Sequence, residues 1–476
     1  MEYPRLTRED LAYLKQAIGE GHVSAGESNL DLHSRDESYH EPHRPDVVVW
    51  PQNTGDVVAA VKLAARKGYA VTPWCAGTSL EGNPIPVKGG ICLDFTEMNR
   101  IIEIRENDLQ VDVEVGVPYR ELNNQLRRHG LFFPPDPGAH ACIGGMIGNN
   151  ASGVRTVAYG ATRDCILALE AVMADGGVIR MGSRAIKSSS GYDLLRLMVG
   201  SEGTLGIVTK ATLKLRGLPP EYLTVVATFP TIRDACESVS EIIRYGLNPA
   251  ALELMDAAVV AEINRDQKMG LDEKPMLFLE FHNVNESALS SQFEMVEGLL
   301  QDRRALRIER GIGADERARL WEVRHGALES IKRNHPGHSV LLVDTCVPIS
   351  RYSEMVDMAK EAVEREGAAG FFWGHAGDGN LHLGLMYPPA DATAREAVDR
   401  VNRAVVEHSI AVGGSCTGEH GETLKYMRRI KTALDPKGIL NPGKMLPDEV
   451  LQCTGAPDRS PGDQAFRFTN RQEGSS

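Results

Sequence analysis

The spacing of apolar and polar residues along the first half of the chain predicts a mixture of strands and helices. Residues 45–50 and 69–74 are short apolar runs typical of strands, and residues 54–67 between them have the spacing of an amphipathic helix. Further β-rich runs follow, and then a region at residues 134–160 that is dense in glycine. This order of elements predicts a mixed α+β first half that opens with a β-α-β unit.

The pattern changes near residue 222, where a second domain is predicted to begin. Strand-like apolar runs alternate there with helical segments, with strands expected at 223–229, 252–255 and 276–282. At the other end of the chain, residues 1–45 are polar and contain one predicted helix, residues 8–18. The tail after residue 447 has little apolar surface to bury and is predicted to be mobile.

Length, charge and cysteine content exclude several classes of protein. At 476 residues the chain exceeds one ordinary core, so two or three domains are expected. The net charge of -13, without a concentrated basic run, argues against nucleic acid as a partner. Neither a signal peptide nor a transmembrane run is recognisable, so a cytoplasmic protein is expected. The eight cysteines include no Cys-x-x-Cys pair, which argues against disulfides and iron–sulfur clusters.

Three glycine-rich loops in the first half are candidate ligand-binding segments. The first, residues 73–82, follows a predicted strand directly, and the others are residues 134–153 and 200–207. Small residues in such loops allow backbone N–H groups to approach a phosphate closely. The first loop matches neither the dinucleotide-binding nor the Walker motif, which argues against a Rossmann site or an NTPase. Any one loop could be a plain tight turn, but three in one domain favour binding.

A histidine motif in the last quarter of the chain predicts a pair of facing imidazoles. Residues 374–382 read Gly-His-Ala-Gly-Asp-Gly-Asn-Leu-His and lie between two apolar, β-prone runs. The Asp-Gly dipeptide in this motif is typical of a two-residue hairpin turn. Such a turn would place His375 opposite His382, with Cβ atoms roughly 4.5–5.5 Å apart. Two imidazoles at that spacing can share one divalent ion.

A second short motif, Gly-Glu-His-Gly at residues 418–421, would complete a metal site. Its Glu419 would join His375 and His382 as the third ligand. Three protein ligands and one open position characterise a catalytic metal, whereas structural zinc sites are closed by four ligands. The alternative is a solvated turn whose histidines only form hydrogen bonds.

Taken in order, the three loops, the two histidine motifs and a terminal Leu-Asn-Pro-Gly-Lys at residues 440–444 resemble the vanillyl-alcohol-oxidase superfamily of FAD enzymes, with its PCMH-type FAD-binding domain. Within that superfamily the chain is similar to the branch that contains D-lactate dehydrogenase, the glycolate oxidase D-subunit and D-2-hydroxyglutarate dehydrogenase. The resemblance covers roughly residues 43–447.

The resemblance implies an α+β fold in two domains. Residues 43–217 would form a two-subdomain, PCMH-type FAD-binding domain. Residues 218–447 would form an α+β cap domain with an antiparallel sheet, which carries the metal site and a C-terminal segment that contacts the flavin. Residues 1–42 would be an N-terminal lead-in helix, and residues 448–476 the mobile tail.

By the same resemblance the three loops and the terminal motif hold FAD. The first loop would wrap the pyrophosphate, and the others would line the rest of the cofactor. The implied cofactor-binding residues are Trp74, Cys75, Ala76, Gly77, Thr78, Ser79, Leu80, Pro135, Asp136, Cys142, Gly144, Gly145, Asn149, Ser152, Gly153, Glu202, Gly203, Gly206, Ile207 and Asn441. Covalently flavinylated relatives carry a histidine in the first loop; this chain has none there, so FAD is expected to be bound non-covalently.

The implied reaction is the oxidation of a D-2-hydroxy acid to the 2-oxo acid. The substrate would chelate the metal, which lowers the pKa of its hydroxyl group, and its Cα hydrogen would pass to flavin N5 as hydride. His420 is the candidate general base. Arg324 matches the family arginine that binds the substrate carboxylate, although an ordinary salt bridge is the alternative. Imidazole and carboxylate ligands suit zinc or manganese.

One segment narrows the expected substrate. Hydroxyglutarate-type relatives carry a lysine within the stretch that corresponds to residues 339–348, where it binds the distal carboxylate. This sequence has apolar residues directly before Asp344. A monocarboxylate of the D-lactate or glycolate type is therefore favoured.

Two other functions stay open from the sequence. One is a metal-dependent hydrolase, in which the same three metal ligands activate water and the glycine-rich loops are only structural. The other is a flavin-binding subunit of a multi-subunit glycolate oxidase, which would also bind FAD. For the main interpretation the electron acceptor could be a cytochrome, a quinone, an electron-transfer flavoprotein or an iron–sulfur subunit. Association with the membrane surface through that acceptor and a homodimer are compatible with the sequence.

Overall fold

A computed structural model of the chain describes residues 3–313, 317, 321, 324, 326–416 and 421–446. The predicted mobile tail, residues 448–476, therefore lies outside the described residues. Within the described part, no helix is long and apolar enough to cross a membrane.

The first sheet has four strands in the order β1-β2-β4-β3: β1 (Val23–Ser24), β2 (Val47–Val49), β3 (Val71–Trp74) and β4 (Ile91–Asp94). Strands β2, β4 and β3 are parallel, and β1 is antiparallel to β2. The helix Thr54–Lys67 connects β2 to β3; Asn53 caps its start, and Gly68 ends it in the left-handed region at φ 80°. The predicted β-α-β unit is confirmed, with β4 between its two strands.

The second sheet is antiparallel and has the order β5-β6-β10-β8-β9. Its strands are β5 (Ile101–Arg105), β6 (Gln110–Glu114), β8 (Ile166–Val172), β9 (Val178–Gly182) and β10 (Ile207–Lys214). A two-stranded ribbon joins β7 (Leu131–Phe132) to β11 (Arg216–Gly217). Val172 and Ile207 of this sheet belong to the same buried core as the first sheet, so the two sheets pack together.

The third sheet is antiparallel and has eight strands in the order β15-β12-β14-β13-β17-β18-β16-β19. The strands are β12 (Glu221–Thr228), β13 (Ala251–Met255), β14 (Met276–Asn283), β15 (Arg307–Ile312), β16 (Ser339–Cys346), β17 (Ala369–Gly374), β18 (Asn380–Tyr387) and β19 (Ser415–Cys416). One face packs against apolar side chains of the helices Ile232–Arg244, Glu286–Asp302, Tyr352–Glu366 and Ala392–Ala411. This sheet confirms the predicted antiparallel sheet of the second half.

The remaining helices connect and flank these sheets. The α-helices are Arg8–Ile18, Glu27–Leu32, Tyr119–Leu126, Ile143–Asn149, Thr156–Tyr159, Leu194–Met198, Ala257–Gln267, Ala327–Asn334 and Gly421–Leu434. Short 3-10 helices span Glu20–His22, Phe95–Glu97, Glu106–Asp108, Arg127–His129, Thr162–Cys165, Ile349–Arg351 and Ala376–Asp378.

The N-terminal residues contain more structure than the sequence pattern predicted. The helix Arg8–Ile18 is confirmed, with Thr7 accepting a hydrogen bond from the Asp10 backbone N–H. The expectation of a single helix is incomplete, because Glu27–Leu32 is also helical and β1 pairs with β2. Both additions are too short to show a hydrophobic period.

Candidate functional site

A cavity of about 1520 Å³ is lined on one side by the glycine-rich loops and on the other by side chains of the third sheet. The implied cofactor-binding residues that line it are Trp74, Cys75, Ala76, Gly77, Thr78, Ser79, Leu80, Asp136, Cys142, Gly144, Gly145, Asn149, Ser152, Glu202, Gly203, Gly206 and Ile207. The three loops, far apart in the sequence, therefore meet at one cavity.

The first loop leaves the end of β3 and turns tightly at Gly77, whose φ is 64°. A Cβ at this position would lie 2.7 Å from the Trp74 ring, so only glycine fits without moving the indole. The Trp74 ring is buried, and its Nε1 has no hydrogen-bond partner among the described residues. A buried indole N–H normally makes a hydrogen bond, and a polar ligand in the cavity can supply the acceptor.

Close backbone packing also explains glycines of the second and third loops. A Cβ on Gly203 would lie 2.4 Å from the Pro73 side chain, and one on Gly144 would lie 2.9 Å from the Val115 side chain. The third loop is joined to the second by the Glu202 backbone N–H, which donates to the Gly148 carbonyl at 2.9 Å. The loops thus form one packed cradle that exposes backbone to the cavity, the arrangement that suits a nucleotide cofactor such as FAD.

Three of the implied cofactor-binding residues are not part of the cavity lining: Pro135, Gly153 and Asn441. A Cβ on Gly153 would lie 1.7 Å from the Asp136 carbonyl oxygen, so this glycine permits two loop segments to touch. The Asn441 side chain is buried and donates to the carbonyls of Asn83 at 3.0 Å and Glu202 at 2.7 Å. The C-terminal segment therefore returns to the loops and holds them in place.

The two imidazoles of the first histidine motif are neighbours, but the predicted hairpin register is wrong. Trp373, and not His375, is opposite His382, because β17 ends at Gly374 and a five-residue connection leads to β18. The connection is longer than predicted because Ala376–Asp378 forms a 3-10 turn that ends at Gly379 in the left-handed region. The rings of His375 and His382 nevertheless lie 5.0 Å apart between centroids, at an angle of 85°.

Each of these histidines faces a carboxylate with its Nδ1 atom. His375 Nδ1 lies 2.6 Å from Glu253 Oε1 on β13, and His382 Nδ1 lies 3.4 Å from Asp344 Oδ1 on β16. Both rings line the cavity. The hydrogen bond to Glu253 fixes the His375 ring and leaves its Nε2 lone pair for a ligand, as is usual for metal-binding histidines. His382 Nδ1 is buried and makes no hydrogen bond among the described residues, so its contact with Asp344 is an electrostatic one.

Buried Glu253 also binds Arg324, which the sequence assigned to the substrate. The guanidinium donates from Nε at 2.9 Å and Nη2 lies 2.6 Å away, so the salt-bridge alternative is realised at a residue that also lines the cavity. Burial would raise the pKa of Glu253, but the charges of His375 and Arg324 outweigh burial and lower it. For Asp344, burial is likewise outweighed by His382, and its pKa falls to about 2.

A second cluster of the same composition lies one strand away. Glu280 on β14 is fully buried and pairs with Arg317 Nε at 2.5 Å and with His282 Nε2 at 2.5 Å. The other nitrogen of His282, Nδ1, lies 2.7 Å from the Tyr159 hydroxyl. Burial would raise the pKa of Glu280, but the hydrogen bond from His282 and the charge of Arg317 lower it to about 2.

Glu253 and Glu280 were missed in the sequence. Their signal is an acidic residue inside an otherwise apolar strand, in Leu252 to Leu254 and in Leu279 to Phe281. A carboxylate is buried at such a position only with partners.

The rest of the predicted metal site, Glu419 and the candidate base His420, lies outside the described residues. Among the residues that are described, no group of three or more His, Cys, Asp and Glu side chains is arranged to hold a metal ion. The structure thus shows two of the three predicted metal ligands, His375 and His382, with their rings side by side.

Two family models match the chain. The model described as FAD binding domain matches residues 45–182, and the one described as FAD linked oxidases, C-terminal domain matches residues 218–445.

Similar proteins cover nearly the whole chain. It is 34% identical over 466 residues to a mitochondrial D-lactate dehydrogenase (cytochrome) of Arabidopsis thaliana, covering 94% of this chain and 82% of the relative. The chain is 35% identical to a probable mitochondrial D-lactate dehydrogenase of Danio rerio, covering 91% of this chain and 90% of the relative. It is 33% identical to the glycolate oxidase subunit GlcD of Bacillus subtilis, covering 92% of this chain and 97% of the relative.

The fold is that of known flavoenzymes. The structure of 4-ethylphenol oxidase from Gulosibacter chungangensis matches with a TM-score of 0.77 at 19% identity, covering 94% of this chain and all of that one. The structure of p-cresol methylhydroxylase matches with a TM-score of 0.76 at 15% identity, covering 94% and 99%.

Proposed function

This chain belongs to the FAD-linked oxidases of the vanillyl-alcohol-oxidase type, and within that family we propose that it oxidises a D-2-hydroxy monocarboxylic acid to the 2-oxo acid with the help of a divalent metal. Its relatives support an FAD-linked oxidoreductase of 2-hydroxy acids. The domain limits proposed for it are residues 43–217 for FAD binding and 218–447 for substrate and metal.

The observation that carries the metal proposal is the pair of neighbouring imidazoles that line the cavity, with ring centroids 5.0 Å apart. The His375 ring is fixed by its hydrogen bond to Glu253, which leaves its Nε2 for an ion, and His382 is proposed to share that ion. Glu419 is proposed as the third ligand. Zinc or manganese fits two imidazoles and a carboxylate better than magnesium or calcium does.

Bound FAD supplies a hydride acceptor, and a bound metal supplies a Lewis acid. Arg324 lines the cavity and is proposed to bind the substrate carboxylate, with Glu253 fixing the guanidinium so that little side-chain freedom is lost on binding. His420 is proposed to remove the hydroxyl proton. The cradle formed by the three loops is proposed to orient the cofactor against the side of the cavity that the third sheet forms and to keep water from the reacting atoms.

The proposed substrate is a monocarboxylate because the wall beside Asp344 is apolar. Leu342 lies two residues before Asp344 on β16, and both line the cavity. Trp373 lines the same region. A second carboxylate placed beside Leu342 and Trp373 would lose hydration and would face the carboxylate of Asp344.

Electrons are proposed to leave through an acceptor other than a pyridine nucleotide. The word cytochrome in the name of the Arabidopsis relative supports a cytochrome among the candidates. The similarity to subunit GlcD supports a second candidate function, a flavin-binding subunit of a multi-subunit glycolate oxidase. A purified chain that is reduced by glycolate but passes electrons to no soluble dye or cytochrome would favour that candidate.

The test is an anaerobic titration of the purified, metal-replete protein followed by its visible spectrum. D-lactate is expected to bleach the flavin bands within one turnover, and L-lactate, the matched control, is not. Treatment with a chelator is expected to abolish the bleaching, and added zinc or manganese to restore it.

Two outcomes would contradict the proposal. Bleaching that survives chelation would remove the metal from the mechanism. Purified protein that neither contains nor binds FAD would instead favour the metal-dependent hydrolase.

A further inference from the structure

A buried histidine, His33, lies directly beneath the first FAD loop. It ends the helix Glu27–Leu32, in the segment that precedes residue 45, where the match to the FAD-binding family model begins. Its side chain is 0% exposed, and its ring lies 4.4 Å from that of Trp74. The ring of Trp50 also contacts the His33 ring edge-on, with the two ring centroids 5.8 Å apart.

Both ring nitrogens of His33 face hydrogen-bond acceptors. Nδ1 lies 2.7 Å from the backbone carbonyl of Asn29, which cannot donate, and Nε2 lies 2.9 Å from Asp94 Oδ2. The carboxylate of Asp94 already accepts three other hydrogen bonds, from Trp50 Nε1 at 2.7 Å and from the backbone N–H and hydroxyl of Thr96 at 2.9 and 2.7 Å. Asp94 thus joins the His33 ring to Trp50 and Thr96 in one buried hydrogen-bond network.

Both ring nitrogens of His33 are therefore held by hydrogen bonds in the buried interior. An apolar ring in its place would leave these buried polar groups with a hydrogen bond unmade, which is costly. The two contacts fix the His33 ring, which in turn packs against the tilted ring of Trp74.

The position of Trp74 determines the path of the first loop. Trp74 is the last residue of β3, and the loop folds back over its ring so closely that Gly77 has no room for a Cβ. The same N-terminal segment contacts the far end of the loop, where the Glu37 backbone N–H donates to the Ser79 carbonyl at 3.0 Å. A shift of the indole would move the backbone that faces the cavity.

We propose that His33, buried and paired with Asp94, is a positioning residue for FAD: it fixes Trp74 and, through Trp74, the loop that holds the cofactor. The N-terminal segment, which lies outside the matched family model, thereby becomes part of the cofactor site. The proposal rests on FAD binding and is independent of the substrate and of the metal.

The test compares FAD release from the wild-type holoprotein and three variants, followed by flavin fluorescence well below the unfolding temperature. His33→Phe keeps a ring and removes both ring nitrogens, and release is expected to be about tenfold faster or more, because two buried hydrogen bonds are lost. His33→Gln keeps a polar group that can make one of these bonds and is expected to fall between His33→Phe and the wild type. The matched control is His22→Gln, since His22 makes an exposed contact with Glu97 at 2.9 Å; its release rate is expected to be unchanged.

Two measurements distinguish positioning from simple stabilisation. A structural role alone would lower the unfolding temperature of His33→Phe and leave release from the folded holoprotein unchanged, which would overturn the proposal. In wild-type holoprotein labelled with nitrogen-15 at histidine, NMR is expected to show a His33 ring N–H that exchanges slowly with solvent, as its two hydrogen bonds require. A His33 ring N–H that exchanges freely would overturn the proposal even if neither variant folded.

Discussion

Two neighbouring strands of the third sheet each carry a buried glutamate between an arginine and a histidine. On β13, Glu253 joins Arg324 to His375; on β14, Glu280 joins Arg317 to His282. Glu280 is opposite Ala251 in the register of the two strands, two residues from Glu253, so the glutamates lie on the same face, roughly 7–8 Å apart between Cα atoms.

The difference between these clusters lies in the second nitrogen of each histidine. His282 uses both nitrogens, one for Glu280 and one for the Tyr159 hydroxyl. His375 uses Nδ1 for Glu253, and its ring is 5.0 Å from that of His382. The same three residue types therefore build two different clusters: one in which the histidine has both ring nitrogens bound, although His282 and Arg317 also line the cavity, and one whose histidine is proposed to bind the metal. We infer that the partner of the second ring nitrogen, and not the composition of the cluster, decides which histidine can bind a ligand.

The largest expected effect comes from exchanging each histidine for asparagine. His375→Asn removes a proposed metal ligand and is expected to lower kcat/KM for D-lactate roughly a thousandfold, since a Lewis acid contributes several kcal/mol. His282→Asn removes only hydrogen bonds and is expected to cost about fivefold. Steady-state kinetics with a dye acceptor and flavin content per chain measure both.

His408→Asn is the control for these variants. His408 lies 3.5 Å from Glu354, away from the cavity lining, so its loss is expected to leave kcat/KM unchanged. Equal losses of kcat/KM in His375→Asn and His282→Asn would contradict the proposed difference between the Glu253 cluster and the Glu280 cluster.

The next effect concerns the glutamates. Glu253→Gln removes the charge behind His375 and is expected to weaken metal binding about 10–100-fold, as for other carboxylates that orient a ligand. Glu280→Gln is its matched control and is expected to leave metal affinity unchanged, although both variants lose stability because an arginine loses its partner. Competition with a chromogenic chelator measures the affinity; an equal loss in the two variants would show that both clusters contribute to the metal site.

The sequence was sufficient to predict the β-α-β unit of the first sheet but not β1, and the shared site of the three loops was implied by the family resemblance. The helix Thr54–Lys67 has the predicted bounds because its cap, period and terminal glycine are all local signals. The proximity of His375 and His382 was also predicted, since seven residues of chain hold them together.

The partners of those histidines could not be predicted. Glu253 is 122 residues from His375 along the chain, and the contact exists because β13 lies beside β17 in the sheet. Hydrophobic periodicity indicates that these runs are strands but not which strands are adjacent. The contact between His33 and Asp94 spans 61 residues of sequence and depends on a helix too short to show a pattern.

A smaller effect is expected in the pH dependence of stability. The pKa of Glu280 is lowered from 4.5 to about 2, so its contribution is fully present above pH 4.5 and is lost as the pH falls toward 2. Glu280→Gln is expected to flatten this part of the curve of unfolding free energy against pH, measured by urea denaturation. Other acidic groups contribute equally to both proteins, so the difference between the curves isolates Glu280. Parallel curves between pH 4.5 and 2 would contradict an ionised glutamate held by Arg317 and His282.

The smallest effect concerns the Tyr159 hydroxyl, which occupies the second ring nitrogen of His282 in the Glu280 cluster. Tyr159→Phe removes the hydroxyl that occupies His282 Nδ1 at 2.7 Å and is expected to cost about 1 kcal/mol of unfolding free energy. Tyr192→Phe is the control, because the Tyr192 side chain is exposed and should lose nothing. The freed Nδ1 gives His282 a lone pair, but its ring neighbours in the described part of the chain are Tyr159 and Tyr222 and not a second imidazole, so metal content is expected to stay at the wild-type ratio. A second equivalent of bound metal in Tyr159→Phe would show that the tyrosine hydroxyl alone separates the structural cluster from a ligand site.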